Sequence, residues 1–239
     1  MFLFDANLHQ ILWKLEKPML ITQKFWKWSS FKNVSFLILL LKMCFVFGQK
    51  KVVVIDPGHG GTDSGAIGIN DALEKDVVLS VAKEIIVLNK TIFDERFAIY
   101  LTRYTDTLIC LKDRGRLARA IKADVFVSLH CNALPKTSQG IEVYVHTSRE
   151  EESLIKASIS IGLSILEETT RKLGFKERGV KFANFMVLRE TVVYCPAVLV
   201  EMGFMTHADE ADYFLKPKNI RAMALAILMG LCNYLNDRL

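Results

Sequence analysis

The run Lys51 to Asp56 (KVVVID) passes directly into a glycine-rich stretch, Pro57 to Gly68, and then into a segment whose apolar residues recur at helical spacing. A short β-branched run bounded by Pro and Gly reads as a buried strand. In the helical segment, Glu74 to Lys90, the recurring residues are Val77, Val78, Val81, Ile85 and Leu88. The alternation then repeats. Ala98 to Arg103 (AIYLTR) reads as a strand and Leu111 to Lys122 as a helix. Asp124 to His130 (DVFVSLH) and Gly140 to His146 (GIEVYVH) read as strands. Glu150 to Leu173 reads as a long helix with an acidic first turn, which suits the helix dipole. Phe185 to Leu188 and Ala197 to Glu201 read as short strands, and Asp209 to Phe214 and Lys218 to Leu235 as closing helices. Strands alternating with helices predict an α/β domain of three layers, a mostly parallel twisted sheet flanked by helices.

A sharp change near residue 48 divides the chain. Residues 1–48 carry six Lys and two acids, all three Trp and seven of the fifteen Phe, whereas residues 49–239 carry 25 basic and 24 acidic residues. The net charge of +5 therefore sits mostly in the leader. The folded part lacks the clustered basic surface that phosphate binding needs, so no nucleic-acid partner is expected. Val34 to Gly48 (VSFLILLLKMCFVFG) is apolar apart from Ser35 and Lys42, follows Lys24, Lys27 and Lys32, and ends in small Gly48. It is shorter than a bilayer-spanning helix of about 20 residues. This pattern predicts an export signal over residues 1–48, with Met19 as an alternative start and a mature chain from Gln49. A buried hairpin or an uncleaved anchor is the competing reading. No linker interrupts residues 49–239, so one catalytic domain is expected there. Four cysteines remain after cleavage, Cys110, Cys131, Cys195 and Cys232, without a CxxC pair, and buried free thiols are expected.

Three candidate zinc ligands sit at strand or helix ends. His59 follows the first strand in the DPGHGG turn, Glu74 opens the first helix, and His130 ends the DVFVSLH strand. Two imidazoles and one carboxylate with an open position form the ligand set of a catalytic zinc site. Parallel sheets gather ligands at the carboxyl ends of their strands. Glu201 ends the AVLVE strand and would face the same crevice as a general base. Each residue alone has a plainer reading: a loop histidine, a helix-start acid, a hydrogen-bonded core histidine. Glu201 has the least plain one, because a buried unpaired carboxylate is costly.

The blocks as a set are more specific. VVVIDPGHGGTDSGAIG resembles the opening motif of the zinc-dependent N-acetylmuramoyl-L-alanine amidases, the type 3 peptidoglycan amidases. LEKDVVLSVAK, LTRYTD, LKDRGRLA, DVFVSLHCNA, GIEVYV, VLR and PAVLVEMGFMTHADEADYF follow in the family's order, so the resemblance covers almost all of residues 50–236. It implies that His59, Glu74 and His130 bind one zinc ion and that Glu201 is the catalytic acid/base. It also implies cleavage of the amide between the lactyl group of N-acetylmuramic acid and the first L-alanine of the stem peptide, with a zinc-bound water as nucleophile. Peptidoglycan is then the substrate, a protein activator is a candidate partner, and the chain is expected as an exported monomer of the periplasm or cell envelope, with no stable membrane span. Its role would be cell-wall remodelling or daughter-cell separation. Cys131, His207 and Ser64 stand where the family commonly has Ala, Asn and Pro. Larger members carry a helix that plugs the zinc site; the interval His146 to Phe185, read as one long helix and a short connection, predicts an open site here.

Rival readings of these residues are weaker. The GHGGTDSGAIG loop lacks the Lys and Ser/Thr of a phosphate-binding P-loop, and Asp63 stands where GxGxxG needs its third Gly. Cys131 faces away from His130 on a strand, so the two form no nucleophile–base pair. A wall-binding module without turnover and a zinc peptidase on a related framework are the alternatives to an amidase. Survival of all four site residues favours the enzyme, and the absence of HExxH disfavours the peptidase. Arg103, Arg114 and Arg189 are candidates for substrate carboxylates or internal ion pairs. Tyr104, Tyr144 and Tyr194 are read mainly as core residues.

Overall fold

The computed structural model describes residues 34–39, 50–135, 137–147 and 152–236. The chain separates into two compact units, residues 1–49 and 50–239. Of the first, residues 34–39 are helical and exposed; the rest of the predicted leader, with its cut after Gly48, lies outside the described residues. Among the described residues, no helix is long and apolar enough to cross a membrane.

The second unit is built on six strands: β1 (Lys51–Pro57), β2 (Phe97–Leu101), β3 (Val125–Asn132), β4 (Ile141–Val145), β5 (Glu177–Phe182) and β6 (Ala197–Phe204). Among the described residues six helices accompany them: α1 (Glu74–Thr91), α2 (Leu111–Ala120), α3 (Glu152–Leu173), α4 (Met186–Val192), α5 (Ala208–Phe214) and α6 (Pro217–Asn236). The sheet order is β2-β1-β3-β6-β4-β5. β1, β2, β3 and β6 run parallel, β4 is antiparallel to β6, and β5 is parallel to β4. The reversal has a local cause. The link between β3 and β4 is shorter than the dozen or more residues that a parallel crossover needs.

Both faces of the central strands are covered, which explains their near-continuous apolar sequence. On one face Val53, Ile55, Val127, Leu129, Val198 and Val200 pack against Val78, Val81 and Ile85 of α1, Ile161 and Ile165 of α3 and Ile227 and Leu231 of α6. On the other, Val54, Phe126 and Leu199 pack against Ala118 of α2 and Val187, Leu188 and Val192 of α4. Full burial of each such side chain contributes roughly 1.5–3 kcal/mol. The expected three-layer α/β domain is present.

Two expected elements differ. Phe185 to Leu188 is not a strand: Phe185 precedes α4, a helix of seven residues. Its sequence, MVLRETV, carries two β-branched valines and a threonine, and the helix forms because Val187, Leu188 and Val192 bury against the sheet. The expected plain connection after α3 is instead the edge strand β5. Its sequence, ERGVKF, is polar and lacks alternation, as an edge position permits. One long helix does occupy the interval from His146 to Phe185, as expected.

Candidate metal centre

β2 lies on one side of β1 and β3 on the other, so the order in which strands are added reverses between β1 and β3. Such a switch point opens a crevice outside the carboxyl ends of the two strands. His59 leaves β1 there and His130 lies near the end of β3. Glu74 is the first residue of α1, whose N-cap, Leu73, makes no side-chain cap. Its carboxylate instead turns to the histidines. Oε1 of Glu74 lies 3.1 Å from His59 Nε2 and 2.9 Å from His130 Nδ1. The same oxygen accepts from the Cys131 amide at 2.9 Å, and Oε2 accepts from the Ala66 amide at 2.7 Å. The two imidazoles meet edge to face with centroids 4.9 Å apart.

Two glycines leave room for this packing. A Cβ at Gly58 would lie 2.3 Å from the His130 ring, and one at Gly65 would lie 2.5 Å from Glu74 Oε2. Gly65 also has φ +64, which favours Gly.

The electrostatics follow from the contacts. Burial pulls the His59 imidazolium down, but hydrogen bonds and charge from Glu74 and Asp63 outweigh it, and His59 rises to about 9. Burial pushes Glu74 up, and hydrogen bonds and charge from His130 and His59 outweigh that, bringing it to about 2. Asp63 Oδ2 lies 2.8 Å from His59 Nδ1, the arrangement of an outer carboxylate that fixes a ligating imidazole.

His130 and Glu201 are Cα partners across β3 and β6, and Glu201 pairs likewise with Glu142 of β4. Directly paired residues share a face, so His130, Glu201 and Glu142 form a row. Glu201 Oε2 is shielded from water and has no hydrogen-bond partner among the described residues. Burial raises Glu201 from 4.5 to about 7; the His130 charge offsets part of this, and the Glu74 and Glu142 carboxylates add to it.

The four predicted residues thus converge at one place. His59, Glu74 and His130 offer ligand atoms within 4.8 Å of one another, and among the described residues no other group of three or more His, Cys, Asp or Glu side chains comes as close together. The donor set of two nitrogens and one oxygen fits a catalytic zinc ion, and the unpartnered Glu201 oxygen beside it fits a group that acts on water or substrate.

Other candidates resolve differently. Arg103 and Arg114 are both buried and internal. Arg103 donates to the Pro57, Gly58, Lys75 and Thr105 carbonyls. Arg114 donates to the Ile109, Pro57 and His59 carbonyls and pairs with Asp56 at 2.7 Å. Arg189 is a surface residue beside Asn184 and Glu190. Tyr104 and Tyr194 are exposed rather than core, because one follows an edge strand and the other a surface helix. Tyr144 is partly buried and donates to Glu142. The four described cysteines are free thiols, and Cys110, expected buried, is exposed at the start of α2. Cys195 precedes β6, at the end of that strand opposite the one that pairs with Cys131's neighbours. Sequence reasoning did not single out Asp63 or Glu142; an acid in the otherwise apolar IEVYV strand was the available signal for Glu142.

Residues 53–233 match the family described as N-acetylmuramoyl-L-alanine amidase. The endolysin of Bacillus phage SPP1 is 38% identical over 190 residues, covering 79% of this chain and 67% of that protein. The N-acetylmuramoyl-L-alanine amidase AmiA of Escherichia coli is 32% identical over 229 residues, covering 78% and 77% respectively. The crystal structure of an N-acetylmuramoyl-L-alanine amidase from Clostridium difficile 630 superposes with a TM-score of 0.71 at 33% identity, covering 79% of this chain and 98% of that one. The chain belongs to the N-acetylmuramoyl-L-alanine amidase family, the type 3 peptidoglycan amidases.

Proposed function

We propose that His59, Glu74 and His130 hold one zinc ion and that Glu201 serves as general base and then general acid. The reaction is hydrolysis of the amide between the lactyl group of N-acetylmuramic acid and L-alanine of the stem peptide. The observation that carries this reading is the convergence of three ligand atoms beside a shielded, unpartnered carboxylate oxygen. A bound zinc ion supplies Lewis acidity toward the amide carbonyl and lowers the pKa of water toward about 7. Glu201 accepts the water proton and returns it to the leaving amine of L-alanine. A general acid/base works best with its pKa near the working pH, and burial moves Glu201 in that direction. Asp63 holds the His59 ring so that Nε2 faces Glu74.

Residues 1–48 act in this reading as an export leader and residues 49–239 as the catalytic domain. Peptidoglycan lies outside the cytoplasmic membrane, which supports action in the periplasm or cell envelope. The partners are peptidoglycan and, where turnover requires it, a protein activator; the chain acts as a monomer.

The test is digestion of muropeptides by the purified chain, with products identified by mass spectrometry as isolated, after chelation and after zinc is restored. Zinc-dependent release of intact stem peptides with a free L-alanine amino terminus is the expected result. Cleavage within the peptide would overturn the assignment of the bond, and metal-independent cleavage would overturn the zinc centre.

A further inference from the structure

The row of side chains that begins at His130 and passes through Glu201 continues beyond the catalytic carboxylate. Glu142 is 1% exposed and carries four partners. Asn132 and the Tyr144 hydroxyl donate to Oε1, at 2.9 and 2.8 Å. Arg178 and Lys181, both from β5, converge on Oε2, Arg178 at 2.6 Å. One carboxylate therefore faces two cations. Neutralising Glu142 needs only one of them, and Arg178 serves that purpose: its guanidinium is held further by the Gln139 carbonyl and lies over the Phe204 ring at 4.9 Å. Lys181 is different. Its side chain is 37% exposed, and among the described residues Glu142 is its one hydrogen-bond acceptor. An ammonium has three donors, so two stay available to a ligand beside the Tyr144 ring, which lies 5.9 Å from the Lys181 ammonium. Beside it, Tyr144 and Phe185 meet edge to face at 5.2 Å and supply an apolar wall.

We propose that Lys181, backed by Arg178 and Glu142, is a subsite for a carboxylate carried by the peptide on the leaving side of the scissile amide. The inference rests on the amidase reading above and adds to it a determinant of peptide specificity. The spacing selects the residue. β5 lies two strands from β6, about 10 Å at the usual strand separation. Two extended peptide residues span about 7 Å, and an acidic side chain covers the remainder. The favoured substrate thus carries a carboxylate on the second residue after the cleaved bond. A peptide amidated there loses a charge-assisted hydrogen bond.

The experiment compares two muramoyl peptides that differ only in whether the second residue carries free carboxylate or carboxamide. The zinc-loaded full chain is assayed beside Lys181→Met and Lys181→Arg, with folding of each checked by circular dichroism. The wild type should favour the carboxylate substrate by roughly 10- to 100-fold in kcat/KM, the worth of a charged hydrogen bond, expressed mainly in KM. Lys181→Met should abolish the preference and Lys181→Arg should retain it. Equal cleavage of both peptides by the wild type, or a preference that survives in Lys181→Met, overturns the subsite and leaves the amidase reading intact. If the wild type cleaves neither peptide, either an activator is required or the amidase reading fails, and titration with the free acidic dipeptide decides the subsite by itself. Binding at least 10-fold weaker in Lys181→Met supports it, and equal binding overturns it.

Discussion

Replacing Glu201 by Gln separates chemistry from stability in a single variant. Gln keeps the shape of the side chain and removes the proton acceptor. Loss of a positioned general base lowers kcat by about 10²- to 10⁴-fold, which corresponds to roughly 3–5.5 kcal/mol at 1.36 kcal/mol per decade. Stability should move the other way. Burial holds Glu201 near 7 against an ordinary 4.5. Its folded value lies above its unfolded one, so below pH 4.5 both states are protonated and the group contributes nothing. As pH rises through 7 the folded protein loses up to about 3 kcal/mol, the product of the shift and 1.36 kcal/mol per pH unit. Gln escapes that loss. In the metal-free protein at pH 8, the variant should melt higher by about 6–12 °C, taking 2–4 °C per kcal/mol for a chain of this size. A nearby cation favours the ionised carboxylate, so zinc should shrink the gap between the two melting curves. The paired assay is muropeptide turnover with calorimetric melting at pH 5 and pH 8. A variant that keeps full activity, or one that is inactive and less stable than wild type at pH 8, would refute the reasoning.

Three further outcomes follow from the ligand cluster. Asp63→Asn should weaken zinc binding by about 10- to 100-fold, the usual effect of losing a carboxylate behind a ligating histidine; competition with a fluorescent chelator measures it. Gly58→Ala should displace the His130 ring, since the new Cβ would lie 2.3 Å from it, and should lower zinc affinity while the far-ultraviolet spectrum stays unchanged. The metal-free protein should lose stability in acid as Glu74 protonates. Its folded value near 2 lies below the ordinary 4.5, so its contribution is present above pH 4.5 and disappears as pH falls toward 2; melting at pH 6, 4 and 2.5 checks the direction.

Much of the architecture was readable because its signals are local. The Val77, Val81 and Ile85 spacing announced α1, and KVVVID and DVFVSL announced two central strands, since those runs are buried on both faces. The histidines were readable for the same reason: each sits within three residues of a strand's end, and parallel strands bring such ends together. What escaped depends on distant partners. Glu142 is held by Arg178 and Lys181, 36 and 39 residues away, and nothing in IEVYV announces them. Both expected roles of Arg103 and Arg114 were open until the path of the Pro57–Gly61 turn was known. β5 was missed because an edge strand between Gly174 and Ala183 has no obligation to alternate, and α4 because its helical form is imposed by packing.

The turn that carries His59 combines a strained backbone with an unusually strong frame. His59 has φ 57, a left-handed conformation that costs a non-glycine residue about 1–3 kcal/mol. The surroundings over-determine it. Arg114 holds the Pro57 and His59 carbonyls, and Arg103 holds those of Pro57 and Gly58. Arg114 is itself fixed by Asp56, which also accepts from Ser128 and Thr102. Removing one partner of a buried ion pair typically costs about 3–5 kcal/mol, more than the strain it restrains. The two arginines therefore serve the carbonyls of the turn rather than a ligand, and the imidazole is aimed by the main chain beneath it. The three side chains of the proposed metal centre therefore converge without coordination, because β1, β3 and α1 carry them and Arg114 of α2 braces the turn.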